Sequence, residues 1–284
     1  MTDDWYDDDY EIIEDNEIIE ENYPYPAIVQ KWIKEGSNYS MENEFPITML
    51  YFTALGHILK DFIRIPVRAS RLDTRVHFLW LQTPRTGKTA VWKFLKKVLD
   101  GTYMTINAQN VDENGNIRAD LSSYNIFSVK QYSDAALVGT FVENEGFAND
   151  EPEGPDNWRK TFVEGTLAGS GLAHWDEFES SGIFKTGHHK EEILQTFQTF
   201  MNDLDSESYI ITKNLAGTAN IGECNCMRAF YGTTYVPGNL VEVILNSGVL
   251  QRTFMYVREV PDEIREKMQD EILSTYNMEL AINA

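Results

Sequence analysis

The pattern of apolar and polar positions along the chain predicts an α/β fold, with a parallel sheet flanked by helices. Residues 46–64 form the clearest predicted helix, because apolar side chains recur there at helical spacing. These side chains are Leu50, Phe52, Leu55, Ile58, Leu59 and Phe62. Residues 27–36 and the segment "PDEIREKMQDEILSTY" near the carboxyl end predict two further helices.

Short apolar runs predict strands that are buried on both faces of the sheet. The runs lie at 76–82, 102–107, 124–130, 170–175 and 227–234. Continuous apolar strands of this length are typical of parallel sheets covered by helices on each face. The segments "AVWKFLKKVL" and "SDAALVGTFVEN" predict two of the covering helices, and Ser133 is a candidate N-cap for the second.

The strand-like segments "YIITK" and "TANIGE" flank "NLAG", a glycine-containing turn, and predict an antiparallel hairpin. We divide the chain into an acidic tail (1–24), an N-terminal helical segment (25–70) and a larger α/β domain (71–284). The closely spaced prolines of "YPYPA" mark the linker after the tail.

Charge is concentrated at the amino terminus. The first 22 residues hold 11 of the acidic side chains and no Lys or Arg, so they carry about half of the formal net charge of -21. A solvated, disordered arm is one reading. The other is a polyanion that mimics nucleic acid or docks on a basic partner protein. Bulk charge argues against loose coating of DNA, so any nucleic-acid contact must be local and basic.

Cysteine usage and hydropathy limit the cellular context. Cys224 and Cys226 are too few for a disulfide scaffold and lack the spacing of a zinc site, so we expect small buried residues. The sequence has no signal peptide and no apolar run long enough to cross a membrane. A cytoplasmic location, in a cell or an infected host, is the expectation.

The segment "QTPRTGKT" (82–89) lies between a predicted strand and a predicted helix, which is the context of a phosphate-binding loop. Backbone N–H groups here would surround the phosphates of ATP. Lys88 would reach the outer phosphates, and the Thr89 hydroxyl would bind Mg²⁺. Gln82 occupies the position where such a loop usually has its first glycine. The candidate nucleotide-binding residues are Pro84, Arg85, Thr86, Gly87, Lys88, Thr89 and Ala90.

Three later segments supply the other groups that hydrolysis requires. In "SGLAHWDEFES", Asp176 would support the metal and Glu177 would face the attacking water. "MRAFYGTT" predicts a strand with polar side chains at its carboxyl end, where ligands bind in parallel sheets. Arg252, before the strand-like "TFMYV", is too far along the predicted sheet for its own loop but could reach a neighbouring subunit's.

The order of these parts resembles that of AAA+ ATPases with a hairpin inserted before the sensor strand. This group includes superfamily III viral helicases, MCM-type helicases and the helicase halves of phage and plasmid primase-helicases. The resemblance covers residues 45–260 and is carried by "HWDEFES", "GTT" and "SGVLQRTF", which are most similar to the primase-helicase group.

The resemblance implies a ring, usually of six subunits, with ATP between neighbours and single-stranded DNA in a central channel. Thr234, or Thr233 beside it, would be the sensor and Arg252 the arginine finger. Lys213 and Asn214 on the hairpin would contact DNA. Little chain follows the last predicted strand, so we expect the N-terminal helices to cover the nucleotide.

The leading hypothesis is therefore an ATP-driven, ring-forming DNA helicase or translocase of viral, phage or plasmid replication. An ATP-dependent protein-remodelling or DNA-packaging factor is the first alternative. A nucleotide-binding regulator without turnover is the second, and it is the one most favoured by Gln82.

Overall fold

The structure is a computed structural model that describes residues 25–67, 70–116, 123–129, 133–143, 160–181, 188–204, 209–215, 220–235 and 248–282. Its helices are α1 (Ala27–Ser37), α2 (Glu44–Leu59), α3 (Lys88–Gln109), α4 (Asp134–Leu137), α5 (His188–Phe200) and α6 (Asp262–Ile282). Its strands are β1 (Ile65–Val67), β2 (Ser70–Leu72), β3 (Phe78–Gln82), β4 (Tyr124–Ser128), β5 (Gly139–Glu143), β6 (Lys160–Glu164), β7 (Ser170–Trp175), β8 (Ile210–Asn214), β9 (Ile221–Asn225), β10 (Ala229–Thr234) and β11 (Phe254–Arg258). The predicted acidic tail, 1–24, lies outside the described residues.

Five of these strands form a parallel sheet in the order β11-β3-β10-β7-β4. Every residue of β3, β7 and β10 is buried, as their continuous apolar sequences predict. The α/β class, with a central parallel sheet flanked by helices, is thereby confirmed. Because the strands are parallel, their carboxyl ends meet at one edge, and β10 lies there between β3 and β7.

Each face of the sheet has its own apolar core. On one face, α2 and α3 pack against Phe78, Trp80 and Tyr231. On the other, α5 and a short 3-10 helix at Phe178–Ser181 pack against Trp175 and Phe230. The N-terminal helix α2 therefore shares a core with the sheet.

The predicted hairpin is present as the antiparallel pair β8 and β9, in which Ile211 opposes Cys224. Both cysteines are buried, as expected. Residues 216–219 of the turn lie outside the described part of the chain, as do residues 236–247 before Arg252. The predicted C-terminal helix is confirmed as α6.

Two predictions of secondary structure were wrong. Residues 102–107 belong to the carboxyl-terminal part of α3, where Leu95, Leu99 and Tyr103 are buried at intervals of one helical turn. In the described part of the second segment, residues 133–143, only Asp134–Leu137 is helical. Ser133 caps this turn by accepting a hydrogen bond from Ala136 N at 3.3 Å, and the chain then turns at Gly139 into β5.

Candidate functional site: an anion-binding loop at the edge of the sheet

The loop between β3 and α3 has a backbone conformation suited to surrounding an anion. Arg85 and Gly87 both have left-handed dihedrals, with φ of 63° and 85°. Alternation of left-handed and right-handed residues turns successive N–H groups toward one concavity. Gly87 is required here for a second reason, because a Cβ at this position would lie 2.0 Å from Ser40 Oγ.

The helix that follows adds N–H groups and a favourable dipole. The first intrahelical hydrogen bond runs from Val91 N to Gly87 O at 3.0 Å, so the amides of Lys88, Thr89 and Ala90 precede it. The first turn of α3 contains no acidic residue, and the helix is 22 residues long. An anion at this end is stabilised by the partial positive charge of the helix terminus.

These groups line a cavity of about 450 Å³, a volume typical of small-molecule sites. Its ionisable lining residues are Arg85, Lys88 and Lys93, all of them cationic. The opposite wall is formed by α6, through Gln269, Ile272 and Leu273. The expectation that the N-terminal helices cover this site was therefore wrong. The loop is covered by the C-terminal helix because α6 folds back from β11, the strand next to β3.

Lys88 is held close to the loop by two hydrogen bonds to backbone carbonyls. Its ammonium donates hydrogen bonds to the carbonyls of Gln82 at 2.6 Å and Thr83 at 3.1 Å. Burial lowers the pKa of Lys88 to about 8, although the carboxylates of Asp176 and Glu179 oppose this shift. Lys88 therefore lies within electrostatic reach of two acids that follow β7, two strands away from β3 in the sheet.

The lowered pKa predicts a pH dependence of anion binding. A bound triphosphate favours protonated Lys88, so the affinity for Mg-ATP should be constant below about pH 8 and fall above it, approaching tenfold per pH unit. Calorimetric titration between pH 7 and pH 9.5 would measure this slope. Lys88→Arg is the control, since its guanidinium stays charged throughout. The same slope in that variant, or none in the natural chain, would contradict the assignment.

The carboxyl ends of β7 and β10 carry a chain of polar contacts. Thr233 Oγ1 donates a hydrogen bond to Asp176 Oδ1 at 2.9 Å and lies 3.1 Å from His174 Nε2. The threonine hydroxyl has a single proton, and it donates that proton in the hydrogen bond to the carboxylate, which can only accept. His174 Nε2 must therefore be the donor in its hydrogen bond to Thr233. Asp176 Oδ1 also accepts from Glu177 N at 3.1 Å. The Asp176 carboxylate is thereby oriented at the sheet edge.

His174 joins this chain of contacts to the helix that follows the loop. Its ring stacks on Trp92 of α3 with centroids 4.0 Å apart. Burial lowers the pKa of His174 to about 4, while Asp176 opposes the shift, so the ring is neutral near pH 7. His174 was not among the residues predicted from the sequence. Its position two residues before Asp176, near the carboxyl end of a predicted strand, was the available signal.

The acidic turn contains three carboxylates with different surroundings. Asp176 and Glu177 are exposed, and Glu177 has a left-handed backbone with φ of 48°. Glu179, which the sequence analysis did not single out, is half-buried, and its Oε2 has no hydrogen-bond partner among the described residues. Burial raises the pKa of Glu179; Glu177 and Asp176 act in the same direction, and Lys88 opposes them.

Of the two threonines considered for the sensor position, the structure brings Thr233 to the site and not Thr234. Side chains alternate along a strand, so the two point to opposite faces. Thr233 lies on the α3 face, with His174 and Asp176. Thr234 is also buried, but its Oγ1 has no partner among the described residues. Of the two alternatives, Thr233 is therefore the one whose side chain contacts Asp176.

Arg252 lies at the opposite edge of the sheet from the loop. β11 begins two residues after Arg252 and runs parallel to β3, with Phe254 opposite Phe78. Arg252 therefore lies at the amino end of the sheet, whereas the loop lies at the carboxyl end. The five residues of β3, at about 3.3 Å per residue, separate Arg252 from the loop by about 15 Å or more. Arg252 Nε donates to Asn202 Oδ1 at 3.1 Å, and Nη1 donates to Gly248 O at 3.1 Å. It does not meet Lys88 within one chain.

The hairpin residues Lys213 and Asn214 differ in their surroundings. Lys213 forms an ion pair with Asp134 at the start of α4 and donates to Gly139 O at 2.8 Å. Asn214 is exposed. In this conformation the Lys213 ammonium is tied to the body of the protein, so a DNA contact would require this ion pair to open.

Comparison of the sequence with protein-family models and with curated proteins finds no match in either case. Within the described ranges, none of the helices combines the length and the apolar character needed to span a membrane. The geometry of the loop, of Lys88 and of the His174, Thr233 and Asp176 contacts therefore carries the functional argument.

Proposed function

We propose that the protein binds and hydrolyses ATP in the cavity between the phosphate-binding loop and α6. One observation carries the proposal. A concave loop at a helix N-terminus, a half-buried lysine and an oriented aspartate meet at one edge of a parallel sheet. Ligands of α/β proteins bind at this edge. The cationic lining of the cavity suits a triphosphate and disfavours a neutral ligand.

The residues present fit a Mg²⁺ ion bound together with a nucleotide. Among the described residues, no group of three or more His, Cys, Asp or Glu side chains could hold a metal alone. Mg²⁺ in nucleotide sites is held by one or two protein ligands plus the phosphates, which Thr89 and Asp176 would provide. The ion would neutralise charge that develops on the phosphates.

Each residue then has a defined role in hydrolysis. The amides of residues 87–90 bind the phosphates, and Lys88 moves from the carbonyls of Gln82 and Thr83 to the outer phosphates. Glu177 accepts a proton from the attacking water as its oxygen bonds to the terminal phosphorus. The bond from that phosphorus to ADP breaks, which leaves ADP and phosphate. Thr233 holds Asp176 in position throughout.

We further propose that the active form is a ring of several copies, in which Arg252 reaches the nucleotide of a neighbour. This accounts for an arginine oriented by Asn202 and Gly248 at the edge of the sheet opposite its own loop. The ring would act as a helicase or translocase on single-stranded DNA. The ion pair of Lys213 with Asp134 favours the alternative, a motor that remodels a protein partner, because it occupies the expected DNA contact.

The test is calorimetric binding of Mg-ATP to the full chain, followed by measurement of phosphate release with and without single-stranded DNA. We expect binding and turnover, with turnover increased by DNA. Turnover that does not respond to DNA would favour the protein-remodelling alternative, and binding without turnover would favour a regulator. Absence of Mg-ATP binding at millimolar concentration would overturn the proposal.

A further inference from the structure

Gln82, the residue that departs from the usual glycine of such loops, is fully buried and doubly hydrogen-bonded. Its Oε1 accepts from Trp80 Nε1 at 2.7 Å, and its Nε2 donates to Asn43 Oδ1 at 3.0 Å. A buried amide without partners is costly, so two well-placed bonds fix the orientation of this side chain. Gln82 therefore connects the end of β3 with the segment before α2.

Asn43 passes this connection on to the phosphate-binding loop. Its Nδ2 donates to Thr86 O at 2.9 Å and to Ser40 Oγ at 2.6 Å, and Ser40 Oγ donates to the same Thr86 carbonyl at 3.1 Å. Ser40, Asn43 and Gln82 are at most 2% exposed. We refer to Ser40, Asn43 and Gln82 as the loop clamp.

The loop clamp acts on a peptide bond that would bind phosphate. The Thr86 carbonyl and the Gly87 N–H belong to one planar trans peptide and point in opposite directions. Two donors hold the carbonyl toward the clamp, so the Gly87 N–H is directed away from it, to the concave side of the loop. The negative end of that peptide is also kept away from any bound anion.

We propose that Asn43 and Gln82, supported by Ser40, are positioning residues for phosphate binding. This rests on the proposed function and deepens it. In this protein a buried amide network, contributed partly by the N-terminal segment, holds the loop conformation. The absence of a Cβ at Gly87 allows Ser40 to approach closely enough to take part. Introducing glycine at position 82 therefore removes the hydrogen bond from Gln82 to Asn43, which helps to hold the loop.

The decisive variant is Gln82→Gly, which makes the loop sequence more like a glycine-rich loop. We expect its affinity for Mg-ATP, measured by calorimetry, to fall about tenfold, the equivalent of one aligned hydrogen bond. Gln82→Met preserves side-chain volume while removing both bonds, and Asn43→Ala removes the donor to Thr86; both should weaken binding similarly. The double variant Gln82→Met with Asn43→Ala should lose little more than either single variant, because the bonds form one chain.

Asn107→Ala is the matched control. Like Gln82, Asn107 forms two hydrogen bonds, but to backbone atoms at the far end of α3: it donates to Tyr124 O and accepts from Tyr124 N, each at 2.8 Å. It should lower the thermal unfolding midpoint while leaving Mg-ATP affinity unchanged. If the natural chain binds Mg-ATP and Gln82→Gly binds it equally or more tightly, the loop clamp is refuted and the proposed function stands. If the natural chain does not bind, the proposed function itself fails.

Discussion

Replacing Lys88 by alanine is expected to lower ATP hydrolysis by about 10²–10³-fold. This is the usual effect of removing one preorganised hydrogen-bond donor that stabilises charge in the transition state. Lys88 is the half-buried cation of the cavity, and its ammonium is held 2.6 Å from the Gln82 carbonyl. Its removal also leaves the carboxylates of Asp176 and Glu179 without the electrostatic attraction of the Lys88 ammonium. Initial rates of phosphate release under saturating Mg-ATP measure the effect.

Lys96→Ala provides the matched control for this prediction. Lys96 lies two turns further along α3 and pairs with Asp100 on the surface, where both side chains are 47% exposed. Exposed pairs of this kind contribute little to stability. Hydrolysis should be unchanged in Lys96→Ala. Equal losses in the two variants would show that Lys88 has no specific role.

Much of the sheet could be predicted because its strands are continuous apolar runs bounded by turn residues. Phe78–Gln82 and Ala229–Thr234 are buried at every position, so their sequences have few alternatives to a central strand. Residues 102–107 mislead for a physical reason. Thr and Ile favour strands when considered locally, but packing of Tyr103, on the buried face of α3, into the core overrides that preference. The order of the strands depends on tertiary contacts that local patterns do not contain.

In the candidate site too, local features could be predicted from the sequence, whereas long-range contacts could not. The spacing of Gly87, Lys88 and Thr89 and the Asp176–Glu177 pair are local features, and they could be identified from the sequence. The loop clamp and the α6 wall depend on residues that are distant along the chain: Asn43 contacts Thr86 across 43 positions. Thr233 and Thr234 could be separated only after the face of β10 toward α3 was known. Gln82, which in the sequence is only a departure from the usual glycine, forms two side-chain hydrogen bonds in the structure.

The last prediction concerns which carboxylate accepts the proton from water. We expect Glu177→Gln to reduce hydrolysis by about 10²–10⁴-fold while retaining Mg-ATP binding, the usual range for loss of a general base. Its exposed position in a left-handed turn directly after Asp176 leaves the side chain free to approach a bound nucleotide. Single-turnover measurement of phosphate release separates this chemical step from binding and product release.

Glu179→Gln is the competing variant. Glu179 is half-buried and attracts the Lys88 ammonium electrostatically. Its neutralisation removes negative charge near the phosphates, so it should strengthen Mg-ATP binding slightly. Turnover should stay within about threefold of the natural chain. The opposite result, with turnover abolished only in Glu179→Gln, would transfer the role of base to Glu179. A base whose pKa is raised by burial is protonated sooner on acidification. In that case hydrolysis in the natural chain would be lost at a higher pH than an ordinary glutamate would allow, which a pH–rate profile would detect.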